Sequence, residues 1–81
     1  MRRDRTRVAV AFGRALRRER VRAGLSQEEL AFRAKVDRTF VSRAERGERQ
    51  PALTTVLLLA RALGIRAAVL VEATEKDLKA D

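Results

Sequence analysis

The sequence predicts an all-α fold, four short helices followed by a tail that reads as a fifth, and three observations carry this reading. Apolar residues recur at spacings of three and four, which puts them on one side of a helix. Gly24, Gly47 and Gly64 follow the ends of such runs, where glycine commonly stops a helix. Ser26 and Asp37 precede two of them, and both are residue types that cap a helix N-terminus. At 81 residues the chain makes one small domain, near the lower limit for folding around a single core.

Residues 1–6 read as a flexible basic N-terminal arm. From Arg7, the stripe of Val8, Phe12, Ala15, Leu16 and Ala23 predicts a first helix, with Arg14, Arg17, Arg18 and Arg22 turned outward and Gly24 as its stop. Ser26 with Glu29 three positions on fits a capping box and opens a second helix over 27–34, burying Leu30, Ala31 and Ala34. Lys35 and Val36 form a turn, and Asp37 caps a third helix over 38–46. In that helix Val41 and Ala44 face inward, while Arg38, Thr39, Ser42 and Arg43 lie on the other side. A polar loop leads to a fourth helix over 53–63, with Leu53, Val56, Leu59, Ala60 and Leu63 on the core stripe and Leu58 outside it as a candidate contact. In the tail, Ala68 to Val71 followed by charged residues suit a helix, although residues 66–72 taken alone also suit an edge strand.

Composition narrows the function. The chain has 19 Lys and Arg against 11 Asp and Glu, a net charge of +8 and a pI near 11.5. The charge is uneven: residues 1–66 hold 17 basic and 7 acidic side chains, and residues 67–81 hold 2 and 4. A basic body suits a polyanionic partner, and arginine's planar fork of donors suits phosphates and guanine edges. The chain contains no cysteine, so no disulfide or thiolate metal site is open to it, and no histidine, the commonest general base and metal ligand. No catalytic residue, metal site or cofactor is therefore expected, and an enzyme is disfavoured. Three phenylalanines are the entire aromatic complement, too few for a single-strand stacking platform. No run approaches the roughly 18 apolar residues of a membrane span. The basic MRRDRTR is followed by VAVAF, which is too short for a signal sequence, so a cytoplasmic location is expected.

The stretch 27–46, two short helices joined by a tight turn with polar and basic residues on the second, has the layout of a helix-turn-helix. The segments LRRER, GLSQEELA, VDRTFVSRAERGERQP and LARALG together resemble the DNA-binding domain of the phage lambda repressor and Cro type, the Xre-like helix-turn-helix family, over residues 12–65. The resemblance implies a five-helix bundle that binds operator DNA as a dimer and regulates transcription. Carried across, Arg38, Thr39, Ser42 and Arg43 match base-reading positions. Ser26, Gln27, Lys35, Phe40, Arg46 and Arg49 match positions near the DNA backbone, with Gln27 also bracing a side chain of the third helix. For Phe40 a half-buried packing role is the competing reading. Arg20 and Glu45 match a structural ion pair between the first and third helices.

Three positions depart from the family pattern. Lys35 replaces the glycine of the turn, Ala44 replaces a larger aliphatic residue and thins the core, and Ala52 replaces the serine that caps the fourth helix. All three bear on stability rather than on DNA reading.

The domain organisation expected is an arm over 1–6, a DNA-binding domain over 7–64 and a tail over 65–81 that serves as a dimerisation segment, with Leu58, Val69 and Leu70 as interface candidates. The function expected is a sequence-specific transcriptional regulator of double-stranded DNA. It would act as a small homodimer on a palindromic operator, as controllers of restriction-modification operons do. The alternative is an antitoxin-like protein-interaction module that binds a protein partner through its tail, with accessory DNA binding.

Overall fold

Five helices follow one another in the computed structural model, which describes residues 2–80: α1 (Arg2–Arg22), α2 (Gln27–Ala34), α3 (Arg38–Glu45), α4 (Leu53–Leu63) and α5 (Ala67–Ala80). The tail is helical, and no strand occurs among the described residues. Residues 2–6, expected as an arm, instead continue α1, with Asp4 in the first turn where a negative charge suits the helix dipole; Met1 lies outside the described residues.

The helix ends follow from local chemistry. The capping box at Ser26 is complete: Glu29 N donates to Ser26 Oγ at 3.0 Å and Ser26 N donates to Glu29 Oε1 at 2.8 Å. That backbone bond holds the Glu29 carboxyl below its ordinary range. Asp37 stands at the N-cap of α3 without making the side-chain bond expected of it, and Ala52 leaves α4 without a side-chain cap.

At their C-termini α1 to α4 share one device, a residue in the left-handed region followed by a backbone bond spanning six residues. At α3 the residue is Gly47, with Glu48 N donating to Arg43 O at 2.9 Å and Gly47 N to Ala44 O at 3.1 Å. At α2 it is Lys35, at φ 60°, with Val36 N donating to Ala31 O at 3.0 Å. A side chain in this conformation strains against the following carbonyl, the cost expected from a lysine in place of glycine.

The core is built around α1, which lies between α5 on one side and α3 on the other, while α2 packs on α3 and α4. Phe12, Leu16, Leu30, Val41, Leu59 and Leu70 are its larger members. Enclosure on two sides also buries Ala9 and Ala11, which the single stripe read from sequence omits, whereas Val8 and Ala23 on that stripe are exposed. Gly13 marks where α1 crosses α3: a Cβ there would stand 2.4 Å from Ala44 O and 2.6 Å from Glu45 O. Ala44 is fully buried at this crossing, and its backbone carbonyl is the atom that α1 approaches.

Two further expectations are corrected. Leu53, placed on the core stripe of α4, is 71% exposed, because it opens the helix at the edge of the α1–α5 groove. Leu70, offered as a dimer contact, is completely buried: in a helix it lies on the side turned to α1 and α4, one turn from the buried Thr74, whose hydroxyl donates to Leu70 O at 2.7 Å.

Replacing the left-handed lysine should raise stability. Lys35→Gly is expected to gain about 1 kcal/mol, a rise of about 4–8 °C in melting temperature for a domain of this size. A thermal melt of the two proteins would check it, and no rise would mean that the turn is unstrained.

Candidate nucleic-acid interface

The face that α3 turns away from the core holds the residues singled out from sequence. Burial of Val41 and Ala44 fixes the rotation of the helix, which leaves Arg38, Thr39 and Arg43 exposed and Ser42 half-buried. Gln27, Arg38, Thr39 and Ser42 together line a cleft of about 180 Å³ between the starts of α2 and α3. Arg38 and Arg43 make no hydrogen bond or ion pair with the described residues, so their donors are open to an anion or a base edge.

Behind this face one carboxylate joins three helices. Glu45 of α3, its side chain 4% exposed, accepts from Arg20 Nε at 2.6 Å and Nη2 at 3.0 Å. Arg20 Nη1 donates on to Leu25 O at 2.8 Å, and Gln27 Nε2 donates to Glu45 Oε1 at 2.9 Å. Donating to the Glu45 carboxylate is the main reason the Arg20 guanidinium is held above its ordinary pKa. The pair between the first and third helices and the bracing by Gln27 thus appear together, as one network that sets α3 on α1 and α2. No buried side-chain polar atom among the described residues lacks a partner.

At the other end of α3, the side chains expected near phosphates are already engaged. Arg46 pairs with Glu48, Nε to Oε2 at 2.9 Å and Nη2 to Oε1 at 3.3 Å, and Nη1 donates to Ser42 Oγ at 2.6 Å. The hydrogen bonds between them raise the Arg46 pKa and lower that of Glu48. Glu48 is a member of this surface that sequence reading missed; no spacing marks it, because the pairing depends on how the chain folds back after Gly47. Arg49 sits over the Phe40 ring, 5.9 Å from its centroid, a cation–π arrangement. Phe40 is half-buried, as its packing reading expects. Ser26 has spent its backbone amide on Glu29, so that amide is not open to a phosphate. Lys35 stands apart from the α3 cleft, lining a different one with Arg33, Leu58 and Arg61.

If the Glu45 network sets the position of α3, breaking it should cost more than removing it. Arg20→Ala leaves the buried carboxylate without its cation and is expected to lose about 3–5 kcal/mol, and the double variant Arg20→Met with Glu45→Leu considerably less. Denaturant unfolding of both would decide it; equal losses would mean that the pair acts through packing alone.

Comparison with known proteins agrees with this geometry. The family model described as Helix-turn-helix matches residues 16–70. The control protein C.BamHI of Bacillus amyloliquefaciens is 35% identical over 60 residues, which cover 73% of this chain and 74% of that protein. The crystal structure of the restriction-modification controller protein C.AhdI from Aeromonas hydrophila superposes with a TM-score of 0.75 at 47% identity, covering 76% of this chain and 94% of its own. A second structure, the controller C.Esp1396I solved as a tetramer with its natural 35 base-pair operator, has a TM-score of 0.80 at 25% identity and covers 89% of this chain and 95% of its own. Taken with the two short helices and the exposed face of α3, these matches establish that the chain belongs to the helix-turn-helix family of DNA-binding transcriptional regulators, of the lambda-repressor-like type.

Proposed function

We propose that the chain is a sequence-specific operator-binding regulator that works as a homodimer, with α3 in the major groove and a restriction-modification operon as its target class. The observation that carries this reading is the pair of exposed arginines without a hydrogen bond among the described residues, Arg38 and Arg43, on a helix whose opposite side is locked to α1 and α2. Rigid support is what a base-reading side chain needs. Two controller proteins among the relatives, C.BamHI and C.AhdI, and a third solved on its operator support the choice of operon. The role is one of binding, with no catalytic step assigned, and it is exercised in the cytoplasm, where such operators lie.

In this reading, arginines and backbone amides neutralise phosphates and fix orientation, which gives affinity without sequence information. Thr39 and Ser42 supplement Arg38 and Arg43 at the base edges; Gln27, Arg49 and Phe40 lie toward the backbone. The alternative of a tail kept for a protein partner gains no support, since α5 is packed against α1 and Asp77 accepts from Arg14 at 3.4 Å and Arg18 at 3.1 Å.

The surface favoured for the second copy differs from the one read from sequence. Leu53, Leu57 and Val71 are 71%, 52% and 49% exposed, and a groove of about 270 Å³ floored by Phe12 and Val56 runs beside Leu53 and Val71. Leu58 and Val69, the remaining sequence candidates, are less exposed, and Leu58 lines the separate cleft beside Lys35. Burying Leu53, Leu57 and Val71 would remove the larger apolar exposure.

Selection from a randomised duplex pool tests the reading: an enriched palindrome with half-sites about 10 base pairs apart is expected, bound at least ~10³-fold over a scrambled control. Salt-sensitive binding with no enriched sequence would reject it. Arg43→Ala should cost about 1–3 kcal/mol of discrimination at one or two positions, measured by competition between the selected site and its single-base variants; equal losses on selected and random DNA would remove the base-reading role. Leu53→Glu should yield folded monomers in sedimentation, and an unchanged profile would exclude this dimer face.

A further inference from the structure

We propose that Glu48 is a positioning residue for sequence reading: through Arg46 it holds the Ser42 hydroxyl as a hydrogen-bond donor, so that the base pair facing Ser42 is selected for an acceptor. The inference rests on α3 being the helix that enters the major groove.

The geometry is a relay of three side chains. The chain reverses at Gly47, at φ 76°, and Glu48 N donates back to Arg43 O at 2.9 Å, which returns the Glu48 side chain beside Arg46. Both carboxylate oxygens then take one edge of the guanidinium, at 2.9 and 3.3 Å, and this aims Nη1 at Ser42 Oγ, 2.6 Å away. Guanidinium has donors and no acceptor, so the serine oxygen can only accept in this contact. Its proton remains uncommitted, since Ser42 has no other hydrogen bond among the described residues.

A helical hydroxyl has another outlet, the carbonyl four residues back, which Thr74 takes at Leu70 O at 2.7 Å. With Arg46 in place, Ser42 spends a lone pair inward and keeps its proton for the groove. In the groove guanine N7 and O6, adenine N7 and thymine O4 accept, whereas cytosine N4 and adenine N6 donate. Freed from Glu48, Arg46 is available to phosphates and Ser42 can turn its proton to its own helix. The preference for an acceptor at that one base pair should then disappear. Arg46 keeps two of its five donors beyond the relay, so the relay does not preclude a phosphate contact.

The test uses the full chain and duplexes varied one base pair at a time around the selected site. Ser42→Ala is expected to relax preference at one position by about fivefold, the scale of a single net hydrogen bond. Glu48→Ala should relax the same position by a similar factor, with Glu48→Gln between it and the wild type. Removing the carboxylate also strengthens binding to every sequence alike, and that uniform gain is separable from the change at one position. The side chains of Arg46 and Glu48 are 56% and 54% exposed, so melting temperatures should stay close to wild type. The proposal is overturned if Ser42→Ala relaxes no position, or if Glu48→Ala shifts all positions equally while Ser42→Ala relaxes one. A wild-type protein that enriches no sequence overturns the groove reading itself and the relay with it; a selected site indifferent to Glu48 overturns the relay alone.

Discussion

The placement of α3 depends on a carboxylate removed from water. Glu45 sits between Arg20 of α1 and Gln27 of α2, and its three short bonds tie the exposed helix to both. An ion pair in such a setting adds little net stability over a well-packed apolar substitute, because desolvation offsets most of the attraction. What it supplies is direction. Apolar contacts at Val41 and Ala44 set which side of α3 faces inward, but they tolerate sliding; a bidentate arginine does not. Gly13 and Gly47 work to the same end by letting α1 approach the last turn of α3 at backbone distance, with Val10 Cγ2 2.8 Å from where a Gly47 Cβ would be.

Much of this was legible because it is encoded locally. Ser26 and Glu29 announce the start of α2 by their spacing, and the buried residues of α2 and α3 fall on a single stripe each, so periodicity finds them. On α1 periodicity finds Phe12, Ala15 and Leu16 but misses Ala9 and Ala11, because the helix is enclosed on two sides, and it misplaces Leu53, where a helix start lies at the rim of a groove. Leu70 shows the limit from the other direction: an aliphatic residue in a short amphipathic tail looks available for a partner until the rest of the fold supplies α1 to cover it.

The site divides in a similar way. The types of the outward residues on α3 and the pairing of Arg20 with Glu45 could be carried over from a family pattern. The occupancy of those side chains could not. That Arg46 is gripped by Glu48, or that Arg49 lies over Phe40, depends on how the loop after Gly47 folds back, a tertiary matter that no spacing rule describes. Lys35 is intermediate: the sequence marks the anomaly, and its φ of 60° gives the reason.

The crossing at Gly13 bears on the thermodynamics of recognition. Where two helices meet backbone to backbone, neither can shift by a fraction of an ångström without collision, so α3 cannot adjust its tilt separately from α1. In the proposed reading α1 and α3 would enter the groove as one unit, so mismatch would fall on the exposed side chains and on bending or twisting of the duplex. A heat-capacity change on association would then reflect surface covered and DNA deformed, with little contribution from ordering within the protein.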